Sequence, residues 1–305
     1  MTDTIVHDKG VGPATGTLPH SSYGDLPGFM AKPMAMPMER SFVLCVGPPG
    51  EGKTSFVQSC PTGFTFNLDK SSTSPHVKGM VWPGVDSKGQ FCDKTGKIIM
   101  SWEAVLAVQQ QIVSRATDNK SVPTTVFIDS LSALIPLIMD YMVRQNDVEY
   151  WQDLDGRRMY GIMYDRIVRF CNDFLNVGIG VWLMGHVVNA KIQIGDDKFT
   201  IRPELTIGDG LWKRIEWALE MICGIERVTK TILIKQPTPE GRKSPPPDKK
   251  EEVTKYMFIT GAGEGRYGEL MKQRVPLPGE IEVPYEGGWA VVAVAYKKAT
   301  QGATD

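Results

Sequence analysis

The sequence lacks an excess of charge of either sign. Its 305 residues include 34 Lys and Arg against 35 Asp and Glu, which leaves a formal net charge of −1. A strongly basic chain would indicate nucleic acid or an anionic membrane as a partner, because cations must neutralise the phosphates there. Any nucleic-acid site on this chain must therefore be a local cluster of cations.

Paired cysteines and long apolar runs are missing as well. The five cysteines are odd in number and scattered, with no C-x-x-C pair, which argues against a disulfide framework or a zinc knuckle. The first thirty residues lack the basic and apolar segments of a signal peptide. The most apolar stretch, 131–143, is interrupted by Pro136 and Asp140. We therefore expect a soluble, cytoplasmic protein that does not bind membranes.

The length and composition allow one elaborated domain or two small ones. Hydrophobic residues make up 42% of the chain, which is enough to bury a large core. Residues 1–38 are rich in Gly, Pro, Ser and Met without a clear period, so they predict a flexible N-terminal arm. Residues 39–297 are the predicted domain, with a mobile loop at 236–252, and 298–305 are a tail.

Short apolar runs alternate with helical patterns from Phe42 onward, which is typical of a parallel sheet covered by helices on both faces. Ser101 is the expected N-cap of one helix, and a hairpin is expected within 90–100. The predicted strands are 42–46, 63–68, 124–128 and 179–185, and the predicted helices are 53–60, 102–116 and 157–177.

After residue 222 the pattern changes to strands that are joined by turns rather than by helices. Three such strands are predicted, at 223–235, 253–260 and 289–296. The predicted fold class is therefore α/β, with a mainly parallel central sheet flanked by helices and with antiparallel strands at the C-terminal side.

Residues 47–54 read GPPGEGKT, which is a complete G-x-x-x-x-G-K-[ST] phosphate loop between a predicted strand and a predicted helix. Its glycines let backbone N–H groups turn toward one point, where the positive end of the helix adds to the site. In this pattern Lys53 reaches the β- and γ-phosphates and Thr54 coordinates Mg²⁺. The predicted nucleoside triphosphate site consists of Gly47, Pro48, Pro49, Gly50, Glu51, Gly52, Lys53, Thr54 and Ser55.

Three further polar residues follow predicted strands. Asp129 ends a buried run and is expected to hold the Mg²⁺ of the nucleotide, although it could instead cap the next helix. Asp69 would polarise the attacking water if its strand lay beside the phosphate-loop strand; a solvated or capping Asp is the alternative. His186 could hydrogen-bond the γ-phosphate and pass its presence to the loop that follows, or it could be structural.

Two groups of cations could meet phosphates. Lys191, Lys198 and Arg202 lie on a predicted loop or hairpin that could follow a DNA strand, or they could be solvated. Lys272 and Arg274 are two apart on an extended segment, so both could reach one target. A guanidinium inserted into a neighbour's site would stabilise transition-state charge, and an ordinary solvated pair is the alternative.

Five segments together resemble one protein family. They are GPPGEGKTS at 47–55, NLDKSS at 67–72, VFIDSLSAL at 126–134, WLMGHV at 182–187 and KQR at 272–274. The region from about residue 40 to 285 resembles the RecA-like P-loop ATPases, and within them the phage-encoded Sak-type proteins linked to single-strand annealing and recombination.

The resemblance implies a RecA-like fold and an ATPase that uses ATP and Mg²⁺. It further implies assembly into a ring or filament and action on single-stranded DNA in phage recombination or replication, in the host cytoplasm if the protein is phage-encoded. A helicase-like or packaging motor of the same fold is one alternative. A nucleotide-switched regulator or scaffold that does not bind DNA is another.

The resemblance also implies roles for single residues. It gives Lys53 and Thr54 the phosphate and Mg²⁺ roles, Asp129 the metal side and His186 the sensor position. It places K-x-R, residues 272–274, among fingers that an adjacent protomer donates in related ATPases.

Asp69 departs from the family pattern, since it stands where the family usually has a catalytic Glu. Its side chain is one methylene shorter, so we expect a less well positioned water and slower hydrolysis, unless another carboxylate serves.

Overall fold

The computed structural model describes residues 36–69, 77–85, 91–92, 100–193, 199–234, 249–261 and 270–302. Residues of the predicted N-terminal arm before 36, and most of the predicted hairpin at 90–100, lie outside these ranges. From residue 36 onward, the described residues belong to one compact unit.

Strands and helices are numbered here in chain order. The helices are α1 (Lys53–Gln58), α2 (Trp102–Thr117), α3 (Leu131–Gln145), α4 (Gly156–Asn176), α5 (Asp209–Ile215) and α6 (Gly288–Gly302). The strands are β1 (Phe42–Gly47), β2 (Gly63–Asn67), β3 (Met80–Trp82), β4 (Gly84–Val85), β5 (Phe91–Cys92), β6 (Thr125–Asp129), β7 (Gly180–Gln193), β8 (Phe199–Leu205), β9 (Met221–Ile234), β10 (Lys249–Ile259), β11 (Lys272–Gln273) and β12 (Glu280–Val283).

The main sheet has the strand order β12-β10-β9-β1-β7-β6-β2-β3. The six strands from β9 to β3 are parallel to one another. Beyond β9, strand β10 pairs antiparallel with β9, and β12 pairs antiparallel with β10. Strand β8 pairs antiparallel with β7, and β11 pairs antiparallel with β9. The predicted α/β class, with a parallel centre and antiparallel strands at the C-terminal side, is therefore confirmed.

Helices cover the sheet on both faces, as the alternation along β1 demonstrates. Leu44 and Val46 pack into a core cluster that includes residues of α2, α3 and α4. Val43 and Cys45, which point the opposite way, pack into a second cluster that includes residues of α1 and α6. Both faces of β1 are buried, which explains why it reads as a continuous apolar run.

The long helices follow simple sequence rules. Helix α4 buries Met163, Ile167, Phe170 and Phe174, which recur at the predicted spacings of four and three. Helix α2 begins after Ser101, whose hydroxyl accepts a hydrogen bond from the Ala104 backbone N–H at 3.2 Å. The predicted N-cap is therefore confirmed.

The predicted strand at 289–296 is wrong, because this segment lies in helix α6. Trp289, Val292 and Tyr296 are buried and are spaced by three and four residues, as one face of a helix requires. The period is hidden in the sequence because the exposed positions Val291 and Val294 are apolar too. Helix α6 continues to Gly302 and thus includes residues that the sequence assigned to a tail.

Other boundaries also differ from the sequence analysis. Helix α3, which has Pro136 inside it, was not among the predicted helices. Strand β10 begins at Lys249, inside the segment expected to be a mobile loop. Met38, assigned to the arm, is 1% exposed and begins a short 3-10 helix.

Among the described helices, none combines the length and the apolarity needed to cross a membrane.

Candidate nucleotide site

The phosphate loop connects β1 to α1. Gly50 and Gly52 have φ angles of 82° and 91°, which residues with a side chain rarely adopt, so both positions favour glycine. Gly47 is restricted by space, because a Cβ there would lie 2.6 Å from the carbonyl oxygen of Ile225. The loop therefore passes close against β9.

Lys53 is the first residue of α1, and its side chain returns over the loop. Its Nζ donates hydrogen bonds to the carbonyl oxygens of Gly47 at 2.6 Å and Pro48 at 2.7 Å. The side chain is 5% exposed, and this burial lowers the pKa of Lys53. The ammonium group therefore lies within the loop, where the sequence pattern expects the phosphates.

Thr54 and Asp129 lie side by side, although 75 residues separate them in the chain. The Thr54 hydroxyl donates a hydrogen bond to Asp129 Oδ2 at 2.6 Å. Asp129 is 2% exposed, and this burial raises its pKa despite the hydrogen bond from Thr54. The peptide bond between Asp129 and Ser130 is cis.

This oxygen pair fits a magnesium ion. Hydroxyl and carboxylate oxygens are the ligands that Mg²⁺ takes, and a cation would compensate the buried charge of Asp129. Among the described residues, no group of three or more His, Cys, Asp and Glu side chains could hold a metal. A magnesium ion at Thr54 and Asp129 would therefore depend on nucleotide phosphates and water for its other ligands.

Asp69 lies at the site because its strand pairs with β6, which the sequence analysis did not predict. The condition that its strand lies beside the phosphate-loop strand is wrong, because β7 and β6 separate β2 from β1. Strand β2 instead pairs with β6, which places Asn67 opposite Asp129. The carbonyl oxygen of Asp129 then accepts hydrogen bonds from the backbone N–H groups of Leu68 and Asp69.

The carboxylate of Asp69 has two side-chain partners. Ser130 donates to its Oδ1 at 2.7 Å, and His186 Nε2 lies 3.3 Å from its Oδ2. Burial alone would raise the pKa of Asp69, but the hydrogen bonds from His186 and Ser130 outweigh it and the pKa lies below its usual value. Asp69 is therefore held as a carboxylate beside the Thr54–Asp129 pair.

His186 is not at the end of its strand, since β7 continues to Gln193. It lies opposite Gly47 in the register of β1 and β7, at the last parallel pair. Its carbonyl oxygen accepts hydrogen bonds from the Thr206 backbone N–H at 3.0 Å and hydroxyl at 3.1 Å. His186 thus connects the phosphate loop, Asp69 and the base of the β7–β8 hairpin.

Comparison with known proteins identifies the family of this chain. A family model described as an AAA domain (AAA_24) matches residues 40–264. The chain belongs to this family. Among solved structures it is similar to a KaiC-like protein from the hyperthermophilic archaeon Pyrococcus horikoshii OT3, with 12% identity and a TM-score of 0.34. That alignment covers 81% of this chain and 91% of the other. No curated protein matched the sequence.

The AAA domain model covers the phosphate loop, Asp69, Asp129 and His186. The resemblance to P-loop ATPases is confirmed at this level, and the chain is a nucleotide-binding domain of the ATPase type. The finer assignment to phage Sak-type proteins stays a prediction.

Two of the three candidate DNA-binding residues, Lys191 and Arg202, lie on β7 and β8, which pair antiparallel as the strands of a hairpin do. Lys191 is opposite Ile201 in the register, and Arg202 is opposite Ala190. Lys198 lies outside the described residues.

The two cations of the K-x-R segment bind backbone carbonyl oxygens of two adjacent residues in their own chain. Lys272 Nζ donates to the carbonyl oxygen of Glu216 at 2.6 Å, and Arg274 donates to that of Trp217 at 3.1 Å. These carbonyls follow the C-terminal end of α5. These hydrogen bonds therefore attach β11 and the residue after it to the C-terminal end of α5.

The K-x-R segment lies far from the phosphate loop of its own chain. Gln273 is opposite Met221 on β9, and Met221 is opposite Val43 on β1. Gly47 is four residues farther along β1, which corresponds to about 13 Å at the rise of an extended strand. The cations thus lie at the opposite end of the parallel strands from the nucleotide site.

Ser130 is the site residue that the sequence analysis left without a role. Its hydroxyl lies 2.7 Å from both Asp69 Oδ1 and the Ser132 hydroxyl. The available signal was its position directly after Asp129 at the end of β6.

Proposed function

We propose that this AAA domain binds Mg–ATP and hydrolyses it between subunits of a ring or filament that acts on single-stranded DNA in phage recombination or replication. The observation that supports nucleotide chemistry most directly is the 2.6 Å contact between Thr54 and Asp129 beside the buried Lys53. A phosphate loop and a carboxylate that meet in this way form the two halves of a Mg–nucleotide site.

The loop residues bind the triphosphate in this proposal. The glycine-rich backbone and the start of α1 provide N–H donors, and Lys53 contributes its charge to the β- and γ-phosphates. Thr54 and Asp129 would hold Mg²⁺, Asp129 usually through water. Bound there, Mg²⁺ would neutralise charge that develops on the phosphates.

Asp69 orients and polarises the attacking water. Its lowered pKa keeps it ionised at neutral pH, as a proton acceptor must be, while Ser130 and His186 fix its two oxygens. A γ-phosphate would compete with Asp69 for the Nε2 atom of His186. His186 would thereby report the nucleotide state to Asp69 and to the β7–β8 hairpin.

Lys272 and Arg274 act on a neighbouring subunit in this proposal. Their backbone lies about 13 Å along β1 from the phosphate loop of their own chain, which supports action in trans. A guanidinium that enters an adjacent site stabilises transition-state charge without titrating.

Single-stranded DNA is the proposed partner of the β7–β8 hairpin. Lys191, Lys198 and Arg202 are the proposed contacts, because a chain with a net charge of −1 can bind DNA only through a local group of cations. The double hydrogen bond from Thr206 to His186 attaches β8 to the nucleotide sensor, which supports coupling between DNA and ATP.

The rate of ATP hydrolysis with and without single-stranded DNA tests this function. We expect stimulation by DNA at low salt that fades at high salt, because phosphate contacts are lost as salt rises. Measurable hydrolysis that DNA does not alter would contradict the DNA role. The variant Lys191→Ala/Arg202→Ala should lose stimulation and keep the basal rate.

A nucleotide-switched regulator that does not bind DNA is the second candidate. It is favoured by the near-neutral net charge and by Asp69 in place of the longer Glu. This candidate predicts ATP binding with a flat, negligible rate of hydrolysis in every DNA and salt condition.

A further inference from the structure

Two tyrosines form a ring pair beside the phosphate loop on the side away from Asp129. Tyr256 on β10 and Tyr285, two residues after β12, have ring centroids 5.1 Å apart with planes tilted by 38°. Tyr256 is partly buried, whereas Tyr285 is 44% exposed. We call Tyr256 and Tyr285 the tyrosine pair.

The tyrosine pair touches the loop itself. A Cβ added to Gly52 would lie 3.2 Å from two ring carbons of Tyr256, so this ring lies directly over the loop. Tyr256 is opposite Arg227 in the β9–β10 register, and the Arg227 backbone N–H donates to the carboxylate of Glu51. The tyrosine pair and the loop therefore lie at the same level along the strand direction.

The sheet order separates the candidate γ-phosphate groups from the tyrosine pair. Asp129 and His186 lie on β6 and β7, and Asp69 lies two residues after β2, all to one side of β1. A nucleoside that extends from the loop away from these groups would leave toward β9, β10 and β12, which lie on the other side of β1. The tyrosine pair lies on that exit side.

We propose that the tyrosine pair is the stacking surface for the base of the bound nucleoside triphosphate, with Tyr285 as the ring that contacts the base. Aromatic rings bind base faces through stacking, and a ring that is already held by a neighbour loses little freedom on binding. Tyr256 holds the ring of Tyr285 in this way. The inference rests on the proposed nucleotide binding and names the part of the ligand that this surface recognises.

The test separates the base from the phosphates. Binding of ATP and of inorganic tripolyphosphate, each with MgCl₂, is measured by calorimetry for the wild type, Tyr285→Ala and Tyr285→Phe. Tyr285→Ala should weaken ATP binding about tenfold or more and leave tripolyphosphate binding unchanged, because only ATP has a base to stack. Tyr285→Phe keeps the ring and should bind ATP like the wild type.

Tyr160→Ala is the matched control, since Tyr160 is 41% exposed and its ring centroid lies 5.3 Å from that of Trp151, away from the loop. It should leave both affinities unchanged. Equal losses for ATP and tripolyphosphate in Tyr285→Ala, or no loss for ATP, would overturn the stacking role while nucleotide binding stands. A wild type that binds neither ligand would overturn the proposed function and, with it, this inference.

Discussion

The two ends of the parallel strands are built differently. At their carboxyl ends, side chains that lie on or just beyond β2, β6 and β7 contact one another and helix α1: Thr54 of α1 binds Asp129, and Ser130 and His186 bind Asp69. At the opposite end, Lys272 and Arg274 bind the backbone carbonyls that follow α5. The carboxyl end therefore combines carboxylates, hydroxyls and the buried Lys53. The opposite end has two cations that bind the carbonyls after a helix.

This difference indicates which parts of the proposed reaction one chain can supply. The carboxyl-end cluster has a phosphate loop, a candidate metal site and a candidate base within a few ångströms of one another. The K-x-R segment cannot reach that cluster in its own chain, as the register of β11, β9 and β1 demonstrates. If its cations take part in hydrolysis, a second copy must bring them.

Loss of the cation inside the loop should have the largest effect. Lys53→Ala should abolish both ATP binding and turnover, because Lys53 is the buried cation within the phosphate loop. Calorimetry and phosphate release measure the two quantities. Lys120→Ala, which removes an exposed lysine paired with Asp118 at 2.8 Å, should change neither. Retained ATP affinity in Lys53→Ala would contradict the assigned site.

Loss of the cation at the opposite end should separate binding from turnover. Arg274→Ala should lower turnover about a thousandfold, as loss of an arginine finger does, and leave the ATP affinity of each subunit nearly intact. Arg144→Ala, which removes an exposed arginine paired with Glu103, is the matched control.

Mixing then tests whether the finger acts between subunits. Arg274→Ala supplies intact loops and Lys53→Ala supplies intact fingers, so mixed assemblies should recover part of the activity. If turnover did not recover although light scattering showed intact assembly, action in trans would be wrong.

Removal of the candidate base should have a smaller effect than loss of the finger. Asp69→Asn keeps the shape of the side chain but removes the charge that accepts a proton, so turnover should fall about a hundredfold with ATP affinity retained. Asp69→Glu restores a carboxylate and should retain activity. An Asp69→Asn protein with unchanged turnover would assign Asp69 a purely structural role.

The smallest effect is expected for a change in a helix cap that involves neither the nucleotide site nor the K-x-R segment. Ser101→Ala removes the N-cap of α2, which precedes β6, and should lower the free energy of unfolding by about 1 kcal/mol. Thermal or urea unfolding measures this loss. Ser114→Ala, at an exposed interior position of α2, should not destabilise the protein. ATP affinity should be unchanged in both, and a loss in Ser101→Ala alone would connect the cap to the site.

The sequence was sufficient where a feature is local. The phosphate loop is set by eight adjacent residues, and Asp129 by its place after a buried run. The Ser101 cap and the buried face of α4 depend only on neighbours within a few positions. The cap and the helix face are confirmed at their predicted positions, because no distant contact is needed to define them.

The sequence did not predict features that depend on strand order or on a helical period masked by apolar exposed residues. The residues around β2 do not reveal that it pairs with β6. The contacts of Asp69 with Ser130 and His186 could therefore not be predicted from the sequence. Helix α6 was mistaken for a strand because two of its exposed positions, Val291 and Val294, are apolar. The target of Lys272 and Arg274 within the chain depends on the pairing of β11 with β9.

The structure of this protein with Mg²⁺ and a non-hydrolysable ATP analogue tests the central proposal most directly. We expect the triphosphate on residues 47–54, with Mg²⁺ against the Thr54 hydroxyl and Asp129 on the metal's side. A nucleotide bound elsewhere, or a magnesium ion distant from both Thr54 and Asp129, would contradict the account.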